Sequence, residues 1–422
     1  MKTKLNDNFE LKNGGYSNYE GTTHLARHRW YYYKEGFSPN FVEKAIQSVG
    51  ITKKDLIIDP FNGSGTTTLS SALLGYNSIG IEVNPFTSFL SSAKIRNVDI
   101  KLLQEETKKL ISKSQKGADS DLIGYSTFSY KPGLEKWLFN KNVLKAFEGG
   151  WRYAKTIKNA DIQQVLKFAL ITSAMENCNA VKDGKCLRYR ATWKDYVINQ
   201  DTFVQSIQNK VQIIESDILS HPISVKSKII TNDIRTILKS KNGFKDFKLC
   251  VTSPPYLNTF DYTDIYRPEL FLGKFVNDNE ELYNLRLKTV RSHVQAKWEL
   301  PKLDDFGSIY AQSINHVLQN KNSLMSKDIP LMIQAYFEDI FKILQGLLER
   351  ATKDAQVWLV VSNSAYANKE IPVDLIIGDI ATKAGWYLKE IGVLRYVEKR
   401  RTKHSPDIIE MRESVIILSK SK

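Results

Sequence analysis

Apolar residues fall along this chain in two rhythms. Short runs lie at 56–59, 78–82, 227–231, 247–251, 356–362, 388–395 and 413–418. They read as strands, and their near-continuous apolar character suits strands covered on both faces. Before and between them, at 40–48, 69–74, 234–239, 329–350 and 373–383, apolar positions recur at the spacing of an amphipathic helix. Strand alternating with helix predicts an α/β fold, a parallel sheet with crossover helices. The stretch between the second and third strands far exceeds the dozen or so residues that a simple crossover needs, so it must carry structure of its own. Helical spacing at 102–114, 143–158, 162–178 and 203–219 marks 101–226 as a helical insertion. A second insertion is expected at 262–327, leaving 29–100 and 227–422 as the main domain. Residues 1–28 are polar and read as a flexible arm, with regular structure starting near Trp30.

Two segments carry chemistry. The first, Asp59-Pro60-Phe61-Asn62-Gly63-Ser64-Gly65-Thr66, takes a strand through a glycine turn into a helix, whose N-terminal amides suit a polar ligand. It is neither a phosphate loop, since no Gly-Lys-Ser/Thr follows, nor the dinucleotide Gly-x-Gly-x-x-Gly. Glu82 ends the next strand, roughly 20 residues on, where a carboxylate can take two ribose hydroxyls. The second segment, Thr252-Ser253-Pro254-Pro255-Tyr256, follows a strand. Its prolines lack N–H donors, so carbonyls there are free to accept from an incoming amino group; Ser253 adds an acceptor and Tyr256 a flat face.

Together these segments resemble the methionine-binding and catalytic motifs of the amino-methylating DNA methyltransferases, which use S-adenosylmethionine to modify cytosine N4 or adenine N6. The resemblance implies a Rossmann-like methyltransferase fold with a mostly parallel seven-stranded sheet. It implies that Asp59, Pro60, Phe61, Asn62, Gly63, Ser64, Gly65 and Thr66 hold the methionine end of the cofactor, Glu82 the ribose and Asp233 the adenine amino group. Tyr33, Phe37 and Ser38, in the place of the family's extra cofactor motif, would close over the methionine. Asp233 also reads as the N-cap of the helix that begins at Ile234. Ser253, Pro254, Pro255 and Tyr256 would act on the base, Ser253 Oγ and the Pro254 carbonyl accepting its two N–H bonds while Tyr256 stacks. Serine before Pro-Pro-Tyr favours cytosine N4, with adenine N6 as the alternative. A cytosine-C5 enzyme would need a Pro-Cys pair, which this chain lacks. An RNA-base or protein-glutamine methyltransferase and a non-catalytic DNA-binding subunit are the further alternatives.

Charge adds a partner. Lys plus Arg number 60 against 46 acidic residues, a formal net charge of +14, which favours a polyanion; with the motifs, double-stranded DNA is expected, alongside a cognate restriction endonuclease acting on the same site. Arg286, Lys288 and Arg291, interleaved with Leu and Val, and Lys185, Arg188 and Arg190 beside Trp193 are candidate DNA contacts; the first group also reads as a solvated amphipathic face. Lys399, Arg400 and Arg401 form a third basic group. The larger insertion has the size for target recognition. Three cysteines at unpaired spacing predict no disulfide scaffold, and no metal site is expected. No apolar run reaches the roughly eighteen residues of a membrane span, so no membrane partner and a cytoplasmic location are expected.

Overall fold

Alternation along the central strands divides the core into two layers. A computed structural model describes residues 5–184, 186–195, 197–240, 243–398 and 403–422. The strands are β1 (Leu5–Asn6), β2 (Leu56–Asp59), β3 (Asn77–Glu82), β4 (Ala180–Asp183), β5 (Cys186–Tyr189), β6 (Ser227–Thr231), β7 (Phe247–Thr252), β8 (Ala351–Ser362), β9 (Ser364–Tyr366), β10 (Lys369–Ile371), β11 (Tyr387–Glu398) and β12 (Glu410–Ser419). Ile57, Leu249, Val251, Trp358 and Val360 pack on one face of the sheet, against Phe41, Val42 and Ile46 of the helix Pro39–Val49. Ile58, Cys250, Val357 and Leu359 pack on the other, against the helices Ile329–Arg350 and Val373–Lys383. Period-two alternation thus covers both faces with helix, as a parallel sheet requires.

The sheet order is β1-β11-β12-β8-β7-β2-β3-β6. Neighbours run parallel except β12, which is antiparallel to both β8 and β11. This is the mostly parallel Rossmann-like architecture, with eight strands where seven were expected. The extra strand comes from the arm. Leu5 and Asn6 pair with Ile391 and Gly392, and Phe9 and Leu11 are buried. Gly392 makes room for this, because a Cβ there would sit 2.4 Å from the Phe9 ring. Arg27, fully buried, donates to the carbonyls of Lys94, Arg96 and His221 and to Asn97. The described part of 1–28 is therefore docked rather than flexible, held by apolar and polar contacts that its polar composition hides.

Residues 101–226 hold most of the helices Ile100–Lys116, Lys141–Ala154, Ala160–Glu176 and Gln200–Ser220, which share a core including Leu103, Leu110, Phe147, Leu166 and Ile207. The β4–β5 hairpin, which helical spacing did not foretell, projects from this unit.

Candidate methyl-transfer site

The carboxyl ends of β2, β3 and β7 open onto one cavity of about 530 Å³, within the size range of ligand pockets. Both sequence motifs line it. After Asp59 the chain turns through Gly63 (φ 48°) and Gly65 (φ 86°) into the helix Thr66–Leu73, and Asn62 N–H donates to the Ile81 carbonyl at 3.0 Å, tying the turn to β3. Gly65 has no room for a side chain, since a Cβ would lie 2.7 Å from that of Ser91. Glu82 braces the turn from the neighbouring strand, accepting from Gly63 N at 2.7 Å through Oε2 and from Asn84 N at 2.8 Å through Oε1. A carboxylate oxygen can accept more than one bond, so both remain open to ligand hydroxyls. Burial pushes the Glu82 pKa up, against the pull of those two amides.

The two motifs are bonded to each other. Thr252 Oγ1 donates to Asp59 Oδ1 at 2.6 Å, and Phe61 N donates to the same oxygen at 3.0 Å. Asp59 is only 1% exposed, and burial pushes its pKa up to about 7, with the Thr252 hydrogen bond opposing. Ser253, Pro254, Pro255 and Tyr256 form the adjoining wall. Next in the chain, the Leu257 carbonyl accepts from Tyr366 Oη at 2.9 Å and from the Ser364 hydroxyl, so β9 anchors the loop. Tyr256 Oη donates to Glu413 Oε1 at 2.8 Å, and Ser253 Oγ lies 3.4 Å from Tyr256 Oη.

Tyr33, Phe37, Asp59, Pro60, Phe61, Asn62, Gly63, Ser64, Thr66, Glu82 and Asp233 all reach the cavity. Two expected cofactor residues do not. Ser38 caps the helix Pro39–Val49, its hydroxyl accepting from Asn40 N, and Gly65 supplies the left-handed corner behind the wall. Asp233 lines the cavity, and its carboxylate is also the N-cap of the helix Ile234–Lys239 and is held by the Arg235 guanidinium at 2.9 Å. Residues beyond the motifs complete the wall: Asn232, Tyr262, Tyr266, Thr289, Ser292 and His293. Tyr33 and Tyr266 stack at 5.5 Å and 12°, and burial holds both phenols well above their ordinary range. The aromatic density of 260–266, directly after Pro-Pro-Tyr, was the available signal for this side of the pocket.

The basic candidates divide. Arg291 is buried, its Nη2 2.6 Å from Glu338 and 2.8 Å from Asp339, and Arg286 pairs with Asp261 at 2.6 Å. Neither is a free DNA contact, because each neutralises buried acid. Lys288 is exposed on the cavity rim. Arg188 is largely exposed and pairs with Asp183, while Arg190 Nε donates to the Cys178 carbonyl. Lys185 and the group at 399–401 lie outside the described residues.

A glycine turn and a Ser-Pro-Pro-Tyr loop thus meet in one cavity at the edge of a Rossmann-like sheet, the arrangement that the resemblance to the amino-methylating methyltransferases implies. Residues 2–89 match the N6/N4 methyltransferase family model, described as DNA methylase. The type II methyltransferase M.BsoBI of Geobacillus stearothermophilus is 26% identical over 418 residues, spanning 87% of this chain and 80% of that protein. M.AvaI of Anabaena variabilis is 25% identical over 417 residues, with the same coverage of each chain. M.MvaI of Kocuria varians is 21% identical over 426 residues, spanning 91% of this chain and 86% of that protein.

Proposed function

We propose that this protein transfers the methyl group of S-adenosylmethionine to the N4 amino group of a cytosine swung out of duplex DNA, as the modification enzyme of a restriction-modification pair. One observation carries the reading: the Asp59–Gly63 wall and the Ser253–Tyr256 wall face the same cavity and are joined by the Thr252–Asp59 hydrogen bond. The residues present suit the donor. Two carboxylates, Asp59 and Glu82, face a space that must hold a cation and two ribose hydroxyls, and Phe61 and Tyr33 supply flat apolar surface. When bound, S-adenosylmethionine brings an electrophilic methyl on sulfur.

The chain's own residues must make the amine nucleophilic, because its lone pair is delocalised into the ring. Ser253 Oγ and the Pro254 carbonyl accept the two N–H bonds out of the ring plane, freeing the lone pair, and Tyr256 holds the ring face. Proximity and alignment supply much of the rate. A recessed cavity cannot admit a stacked base, so the base must be everted at a few kcal/mol. The β4–β5 hairpin reaches the cavity wall through Gly184, which supports 101–226 as the unit that reads the DNA. Serine rather than aspartate at 253 supports cytosine.

The test is to incubate protein, labelled cofactor and duplex DNA, then digest to nucleosides for mass spectrometry. N4-methyldeoxycytidine is expected. N6-methyldeoxyadenosine alone would overturn the cytosine assignment, and preferential labelling of RNA would overturn DNA as the substrate.

A further inference from the structure

We infer that Glu413 is a positioning residue for methyl transfer, acting on the base through Tyr256 and Ser253. This rests on the functional reading above. Glu413 is 4% exposed near the start of β12, an acid in a strand that is otherwise apolar from Val415 to Leu418. In the antiparallel register it lies directly opposite Arg395 on one side and Ser362 on the other, which places it at the carboxyl end of β8, on the ligand side of the sheet. Cross-strand opposition explains the ion pair, Arg395 Nε to Glu413 Oε2 at 2.6 Å. The other oxygen, Oε1, accepts from Tyr256 Oη at 2.8 Å.

That contact gives the chain of hydroxyls a direction. A carboxylate only accepts, so the Tyr256 proton points at Glu413 and the phenol oxygen turns its lone pairs toward Ser253. Ser253 in turn donates to Tyr256, across 3.4 Å, and keeps both lone pairs for the amino group of the base. Were the Ser253 proton free to swing round, it would bond the nitrogen lone pair that must attack the methyl carbon. Glu413 thereby orients Ser253 and also fixes the plane of the stacking ring.

The same chain disposes of a proton. As the carbon–nitrogen bond forms, the carbon–sulfur bond breaks and its electron pair stays on sulfur as a thioether. The nitrogen, now carrying the methyl group and a positive charge, loses one proton to Ser253 Oγ. Ser253 passes its own proton to Tyr256, and Tyr256 passes its proton to Glu413. The base leaves neutral, and one carboxylate has become a carboxylic acid. Ser253 is uncharged and cannot retain the proton itself.

The test uses Glu413→Gln, Tyr256→Phe and the double variant of the full chain, with single-turnover transfer to DNA, dissociation constants for cofactor and DNA, and melting temperature measured on each. In the Gln variant Arg395 holds the amide oxygen and the amide N–H₂ faces Tyr256, which reverses the chain. Transfer should slow by about 10- to 100-fold while both dissociation constants stay within about twofold. The double variant should be no slower than the slower single one, because both cut the same chain. Full-speed transfer by Glu413→Gln, losses that add, or a slowing matched by equally weakened binding would each overturn the inference. If Glu413→Gln folds poorly, Tyr256→Phe carries the test, since it leaves the Arg395 pair intact; undiminished transfer by that variant overturns the relay. A parent protein that transfers no methyl to DNA would instead overturn the functional reading, and the inference with it.

Discussion

Replacing Asp59 by Asn should change the pH dependence of cofactor binding and of stability in opposite senses. The side chain is buried, accepts from Thr252 and Phe61 through Oδ1, and has its pKa pushed up from 3.8 to about 7. Asn keeps an oxygen for both donors, so geometry is conserved and charge is removed. Consider binding first. If the ionised carboxylate faces the cationic end of the cofactor, binding must first remove a proton whenever the pH lies below 7. The ionised fraction falls from about one half at pH 7.0 to about 3% at pH 5.5, a loss of about 15-fold in affinity or ~1.6 kcal/mol. An α-amino group ordinarily titrates near 7.7–8.0, so in this window the cofactor stays protonated. Stability runs the other way. A carboxyl whose folded pKa is raised makes the native state bind protons more tightly than the unfolded chain does. Its contribution is therefore complete below about pH 4 and is lost as pH rises toward 7, to a limit of ~4 kcal/mol. The Asn variant should outlast the parent in urea at pH 8 and yet bind cofactor more weakly, with no slope between pH 5.5 and 7.0. Calorimetric titration with S-adenosylmethionine reads the binding side. A flat profile in the parent, or the same slope retained in the variant, would refute the role given to Asp59; the latter result would transfer it to Glu82, whose pKa burial also raises.

Other outcomes follow from the same geometry. Ser253→Ala should slow single-turnover transfer by roughly 100-fold, comparable to losing one transition-state hydrogen bond, while leaving calorimetric cofactor affinity unchanged; equal losses in both would mean that Ser253 only supports the loop. Arg291→Met leaves Glu338 and Asp339 buried without their shared guanidinium, and breaking such a pair typically costs about 3–5 kcal/mol. The lower end is expected in urea denaturation, because Lys342 still reaches Glu338 and Arg235 still reaches Asp339. Lys288→Ala should do the reverse, sparing stability and reducing the slope of log DNA affinity against log salt by about one. A slope that does not change would remove Lys288 from the DNA-facing surface.

The contrast between Lys288 and Arg291, three residues apart, shows what a single sequence can disclose about such a site. The glycine turn and the Pro-Pro pair could be read because their geometry is local: the tolerance of Gly63 and Gly65 for positive φ and the missing proline N–H groups belong to those residue types themselves. Helices bounded by caps or proline were legible for the same reason, and 329–350 and 373–383 stand where their spacing placed them. Partnership between charges is not local. The acids that claim Arg291 lie 47 and 48 residues away, on a helix whose apolar face alone was readable, so an arginine among leucines looked the same whether it met phosphate or a buried carboxylate. The arm misled in the same way, since Phe9 and Leu11 are too few to signal a core until the space beside Gly392 is known. Asp233 marks the boundary between the two cases. Its helix cap and its pair with Arg235, two residues on, are local, whereas the further bond from Arg235 to Asp339 crosses the fold and could not be read. Roles that depend on a residue being unpaired are thus the ones a sequence conceals. Any polar candidate read from a strand end or a basic run has to be checked first for the buried partner that would already satisfy it.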